Sequence, residues 1–103
     1  MYIVIFVTSS SKKEANKIAK VLIEERLAAC VNIIEKSESV FWWKGKIDTS
    51  KEVLLIIKSR KKRLTKIIEV VKSLHSYTIP EIIAIPIISG YKPYLEWIDE
   101  SVR

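Results

Sequence analysis

Apolar positions along this chain fall into blocks whose spacing switches between that of a strand and that of a helix. Tyr2 to Thr8 is a near-continuous run of β-branched and aromatic residues, which predicts a strand buried on both faces. Ser11 with Glu14 then forms the S-x-x-E pattern of a helix N-terminus,. Beyond it Ala15, Ile18, Ala19, Leu22, Ile23 and Leu27 recur at helical spacing, with Lys17, Lys20, Glu24 and Glu25 on the remaining surface,. Ala28 to Ile34 is a second apolar run, broken only by Asn32, and the strand pattern resumes at Ser39 to Trp43. Val53 to Lys58 returns as a third strand. Leu64, Ile67, Ile68, Val71 and Leu74 mark a second amphipathic helix,. His75 to Pro80 reads as a connection, because Pro80 biases Ile79 towards an extended backbone. Glu81 to Ile88 is a fourth strand, and its Pro86 lacks a ladder donor, so it belongs at a sheet edge. Tyr91 to Val102 closes the series as a short helix.

The order βαββαβ plus a terminal helix predicts an α+β, ferredoxin-like sandwich with both main helices on one face of an antiparallel sheet. At 103 residues the chain forms a single domain, 1–103, and 49% hydrophobic content with 29% charge is globular rather than disordered,. The open face of such a sandwich is usually polar. Here Tyr2 to Val7 and Val53 to Ile57 do not alternate, so both faces of those strands must be kept dry. The terminal helix is too short to cover the second face, which leads to a homo-oligomer built through the sheet.

Phe41-Trp42-Trp43-Lys44-Gly45-Lys46-Ile47 sharpens that expectation. It places two of the three tryptophans beside a glycine suited to a tight reversal,. Adjacent tryptophans on a strand point to opposite faces, and an isolated hairpin cannot bury both. Phe41, Trp42 and Trp43 are therefore expected at an oligomer interface.

Net charge is +6, from 18 Lys and Arg against 12 Asp and Glu, which permits a nucleic-acid or small-anion partner. The basic residues are spread out, the default for a solvated surface. The RNA-recognition signature is absent, so a basic nucleic-acid-binding module is the secondary reading. No apolar run reaches the length of a membrane span, and the N-terminal segment reads as a strand rather than a leader. A single cysteine, Cys30, fits a reducing cytoplasm,. High Ile and Lys content with little Gly suits a thermostable chain.

Candidate chemistry is sparse. There is no glycine-rich phosphate loop and no nucleophile elbow. Cys30 lies in an apolar run, where a buried inert thiol is expected. No acid–base pair is identifiable, which points away from an enzyme, and an acylphosphatase reading lacks its anion-binding turn. One His and one Cys do not make a metal site. His75 is either a metal ligand completed by other residues or a favourable partner for the second helix's C-terminus. Trp43, Glu52, Lys58, Tyr77 and Glu81 combine aromatic and charged groups as ligand sites do and are expected to face a groove between subunits, as a binding cleft or an interface rim.

Five segments in register resemble the CutA family, known as divalent-cation tolerance proteins. They are Glu25 to Asn32, Phe41 to Ile47, Glu52-Val53, His75 to Glu81 and Tyr94 to Ile98. The resemblance implies a compact, PII-like homotrimer in the cytoplasm, no enzymatic activity, no required cofactor and a link to copper and other divalent metal ions. Members with a proposed copper site carry a Cys at the end of the first strand and two adjacent His. Those positions here are Val7, Leu74 and His75, so any copper binding is expected to be weak, and Ser76 replaces the proline of the family's H-P-Y.

Overall fold

A computed structural model describes all 103 residues. The elements run β1 (Tyr2–Ser9), α1 (Lys12–Glu24), β2 (Cys30–Trp43), β3 (Lys46–Arg60), α2 (Leu64–Leu74), β4 (Ile82–Pro86) and α3 (Lys92–Ser101), with a 3-10 turn at Lys61–Arg63. The four strands form one antiparallel sheet in the order β2-β3-β1-β4. This is the ferredoxin-like α+β fold expected from the sequence. The proline-bearing β4 lies at the edge, as its missing donor requires,.

The core lies between the sheet and α1 and α2. Ile3, Ile5 and Val7 of β1 and Leu55 and Ile57 of β3 meet Ala15, Ile18 and Leu22 of α1 and Ile67 and Val71 of α2, all buried. Each large side chain placed there contributes roughly 1.5–3 kcal/mol of burial. Ser59, a fully buried hydroxyl on β3, donates to the Leu27 carbonyl at 2.5 Å, which satisfies both polar groups.

Within one chain, burial alternates along β1 and β3 although apolarity does not. The odd positions are sealed by the helices, while Val4, Phe6, Leu54 and Ile56 remain half-buried. Ile34, Ile83 and Ile85 on neighbouring strands are exposed. Helix α3 covers part of this second face: Ile98 is buried, and Asp99 meets Arg60 at 2.7 Å and accepts a hydrogen bond from the Tyr2 phenol. Cys30, expected to be buried, is only half-buried, because its strand position pairs with Lys58 near the sheet edge rather than under the helices.

Two strands are longer than the hydrophobic pattern suggests. β2 runs unbroken through Glu35 to Glu38, accommodating a bulge between Ile34 and Ser37 where Lys36 adopts φ +64°,. β3 begins at Lys46, seven residues before the expected Val53. Polar residues hid both extensions, since they pair outside the core. β1 reaches only as far as Val53, so Ser37–Trp43 and Lys46–Glu52 project as a two-stranded arm, roughly 20 Å long at strand rise. Lys44 and Gly45 close it with φ +51° and +77°, the paired left-handed residues of a two-residue hairpin turn.

A cleft at the root of the hairpin arm

The arm has two chemically different faces, set by the strand period of two. Val40, Trp42 and Ile47 lie on one, each about two-thirds or more exposed. The other carries Ser39, Phe41 and Trp43 of β2 opposite Ser50, Asp48 and Lys46 of β3 and continues to Glu52. The two tryptophans thus point to opposite faces, as the sequence predicts.

The second of these faces forms one wall of an open cleft of about 760 Å³. Its other wall is the connection between α2 and β4, with Ser76, Tyr77, Thr78, Ile79 and Glu81. That loop sits beside the end of β1 and next to the extension of β3, so the cleft forms where the sheet narrows from four strands to two. Trp43, Glu52, Tyr77 and Glu81 line it together. Lys58 does not: it lies further along β3, across from Cys30 and Val4, and donates to Asn32 Oδ1. Sequence proximity of charge to a strand gave no information about which end of the strand it occupied. Thr8, Asp48 and Ser50 also line the cleft; the hairpin was expected, but not that β3 begins at Lys46, and nothing in the local pattern placed the end of β1 beside it.

Glu52 is 8% exposed, and Tyr77 Oη donates to its Oε2 at 2.8 Å. Burial, and then the bond to Glu52 and its charge, push the Tyr77 phenol up to about 12, so it remains a neutral donor.

Tyr77 is in turn held from behind. Its backbone N–H donates to His75 Nδ1 at 3.0 Å, and the two rings lie 4.7 Å apart. With Nδ1 accepting, the ring proton is on Nε2, which donates to the Thr8 carbonyl at 2.6 Å,. The His75 side chain has no exposed surface. Both nitrogens are therefore committed, and neither offers a lone pair to a metal in this arrangement. The ring folds back onto β1 instead of standing at the end of α2.

Glu14 completes the support. Its N–H donates to Ser11 Oγ at 3.1 Å, the expected N-cap,. Its carboxylate does not return to Ser11, however. It accepts from Ser9 Oγ at 2.5 Å, Ser10 N–H at 3.2 Å and Ser76 N–H at 2.6 Å. Burial alone raises the Glu14 carboxyl, but the donors from Ser9, Ser76 and Ser10 outweigh it and bring it down to about 2. One carboxylate thereby ties the start of α1 to the loop that carries Tyr77.

A small ferredoxin-like domain, with an outreaching hairpin and a carboxylate-bearing cleft at its root, is the class of protein that these features define. Its sequence matches the model of the CutA1 divalent ion tolerance protein family over residues 3–101, and the chain belongs to that family. It is 48% identical to the divalent-cation tolerance protein CutA of Archaeoglobus fulgidus over 103 residues, covering all of both chains. A chloroplastic CutA protein of rice is also 48% identical, over 98% of this chain, which spans only 57% of the rice protein's length. Among solved structures, the divalent cation tolerance protein of Thermus thermophilus superposes with a TM-score of 0.98 at 44% identity, with both chains fully covered. The Archaeoglobus structure, described as periplasmic, gives 0.97 at 48% identity, again over both whole chains. The nucleic-acid module is not favoured by these matches. No helix is long and apolar enough to cross a membrane.

Proposed function

We propose that this chain acts in divalent metal-ion tolerance as a non-enzymatic homotrimer, with its ligand cleft lying between subunits. The observation that supports this reading best is the arm. Its outer face presents Val40, Trp42 and Ile47 to solvent, and its inner face continues onto the half-covered side of the sheet. So much apolar surface on a small protein marks an interaction site, and further copies of the same chain would cover it. Three copies follow from the family resemblance. Trp42 and Phe41 then pack between subunits, while Trp43 stands where a neighbour closes the cleft.

In this reading the cleft binds a small ligand or metal ion, and copper binds weakly, because His75 is sealed with both nitrogens engaged. The cytoplasmic placement rests on the lone Cys30 and is checked by fractionation of the source cells, since relatives carry chloroplast and periplasm in their descriptions. Native mass spectrometry of protein from its source tests the main claim, reporting subunit number and any retained ion or metabolite together. A trimer is expected; a bare monomer overturns the reading.

A further inference from the structure

The charge inside the cleft is opposite to that of the whole chain. Three of its lining residues are carboxylates, Asp48, Glu52 and Glu81, and none is Lys, Arg or His, although the chain carries 18 Lys and Arg and a net charge of +6. One chain's share of that lining disfavours anions and offers a phosphate or carboxylate no positive side chain to pair with,.

Glu52 adds a second, independent observation. It is more than nine-tenths buried and belongs to none of the ion pairs of the chain. Tyr77 is its one hydrogen-bond donor, on Oε2, and Oε1 takes no hydrogen bond. Oε1 is also not among the buried side-chain atoms that lack a hydrogen bond, and Glu52 lines the cleft, so this oxygen opens towards it. A carboxylate withdrawn from water without a counter-charge is costly, and a cationic ligand would supply that charge.

The form of the cation follows from the rest of the lining. Within one chain no three His, Cys, Asp or Glu side chains converge closely enough to hold a metal ion, whereas hard metal ions need several oxygen ligands at once, so a metal would need ligands from a neighbouring copy. The cleft offers instead the rings of Phe41, Trp43 and Tyr77, whose faces attract organic cations, and hydroxyls such as Thr8 and Ser50 that accept from N–H donors,.

We propose that the cleft is a binding site for an organic ammonium cation, with Glu52 as its counter-charge and Trp43 and Tyr77 as its aromatic walls. The inference rests on the reading of the cleft as a ligand site and names what that site takes.

Isothermal titration of the intact oligomer with butylammonium and 1,4-butanediammonium chlorides tests it, alongside inorganic phosphate, AMP, and magnesium and copper chlorides. Both ammonium ions are expected to bind, and Glu52→Gln to weaken them roughly tenfold or more. That variant keeps a carbonyl oxygen for Tyr77 and so keeps the fold, checked by its melting temperature. Trp43→Leu, which leaves every carboxylate in place, is expected to weaken them as well. Ammonium binding that ignores Glu52→Gln overturns the proposal. So does binding of phosphate, AMP or a metal ion in place of the ammonium ions, and in that case the cleft remains a ligand site. Failure of every probe to bind overturns both.

Discussion

Tyr77 and Glu52, 25 positions apart in sequence, are joined by a 2.8 Å hydrogen bond from the phenol to Oε2. The bond fastens the α2–β4 loop to the root of the arm, so one contact holds the two walls of the cleft together. Tyr77→Phe leaves a buried carboxylate without its donor and is expected to cost about 1–3 kcal/mol. Chemical denaturation of the two proteins measures it. The same pair sets an alkaline limit. The folded phenol titrates at about 12 against an ordinary 10, so its contribution is complete below pH 10 and is lost as pH rises towards 12. Tyrosinate absorbance of wild type and Tyr77→Phe should differ by one late-titrating group.

Glu14 sets the acid limit. Its carboxyl titrates at about 2 in the folded chain against an ordinary 4.5, a depressed value. Its stabilisation is therefore present above pH 4.5 and disappears as pH falls towards 2, with a ceiling of about 3 kcal/mol. Melting temperatures measured across pH 2–6 should fall less steeply for Glu14→Gln than for wild type. Equal slopes would show that the serine donors do not hold the charge.

The turn of the arm depends on backbone rather than contacts. A side chain at Gly45 would meet nothing within 4 Å, but its φ of +77° disfavours any L residue. Gly45→Val is expected to destabilise the protein by about 1–2 kcal/mol. Gly45→Asn should recover most of that, because Asn tolerates the left-handed region. A Gly45→Val protein that melts with wild type would contradict the two-residue turn.

Trp42 and Trp43 make separable predictions. Trp42 is 72% exposed on the outer face of the arm, so Trp42→Ala should leave the protomer folded and weaken assembly, seen as a shift towards smaller species in sedimentation velocity. Trp43 lines the cleft, so Trp43→Ala should reduce ligand binding as well as assembly. An unchanged oligomer in both variants would mean that the arm is not an interface.

His75 is expected to behave as a structural residue. His75→Ala leaves the Thr8 carbonyl and the Tyr77 N–H without partners and should cost about 2–3 kcal/mol. Copper affinity should not change, since neither ring nitrogen is free. Tight, stoichiometric copper binding that vanishes in His75→Ala would reverse this assignment.

Much of this structure was legible in the sequence. The periodicities located every element, Pro86 put β4 at an edge, and the Ser11 half of the S-x-x-E capping box formed while the Glu14 carboxylate went to other donors. The two-faced apolarity of β1 and β3 flagged a surface that α3 covers only in part. The cleft was half legible: Trp43, Glu52, Tyr77 and Glu81 came together, while Lys58 went to the far end of its strand. The full length of the arm is not legible, because its polar stretches carry no burial pattern and the bulge at Lys36 interrupts the alternation of β2.

The sequence by itself determined the order of elements, the buried face of each helix and the turn at Gly45, because these follow from local spacing and local backbone preference. Only the tertiary structure decided what Glu14, Glu52 and His75 do. Their decisive partners lie far along the chain: Glu14 meets Ser76 across 62 positions, His75 meets Thr8 across 67, and Glu52 meets Tyr77 across 25. A polar side chain's role is fixed by which donors and acceptors the fold brings within 3 Å, and spacing along the chain does not contain that information.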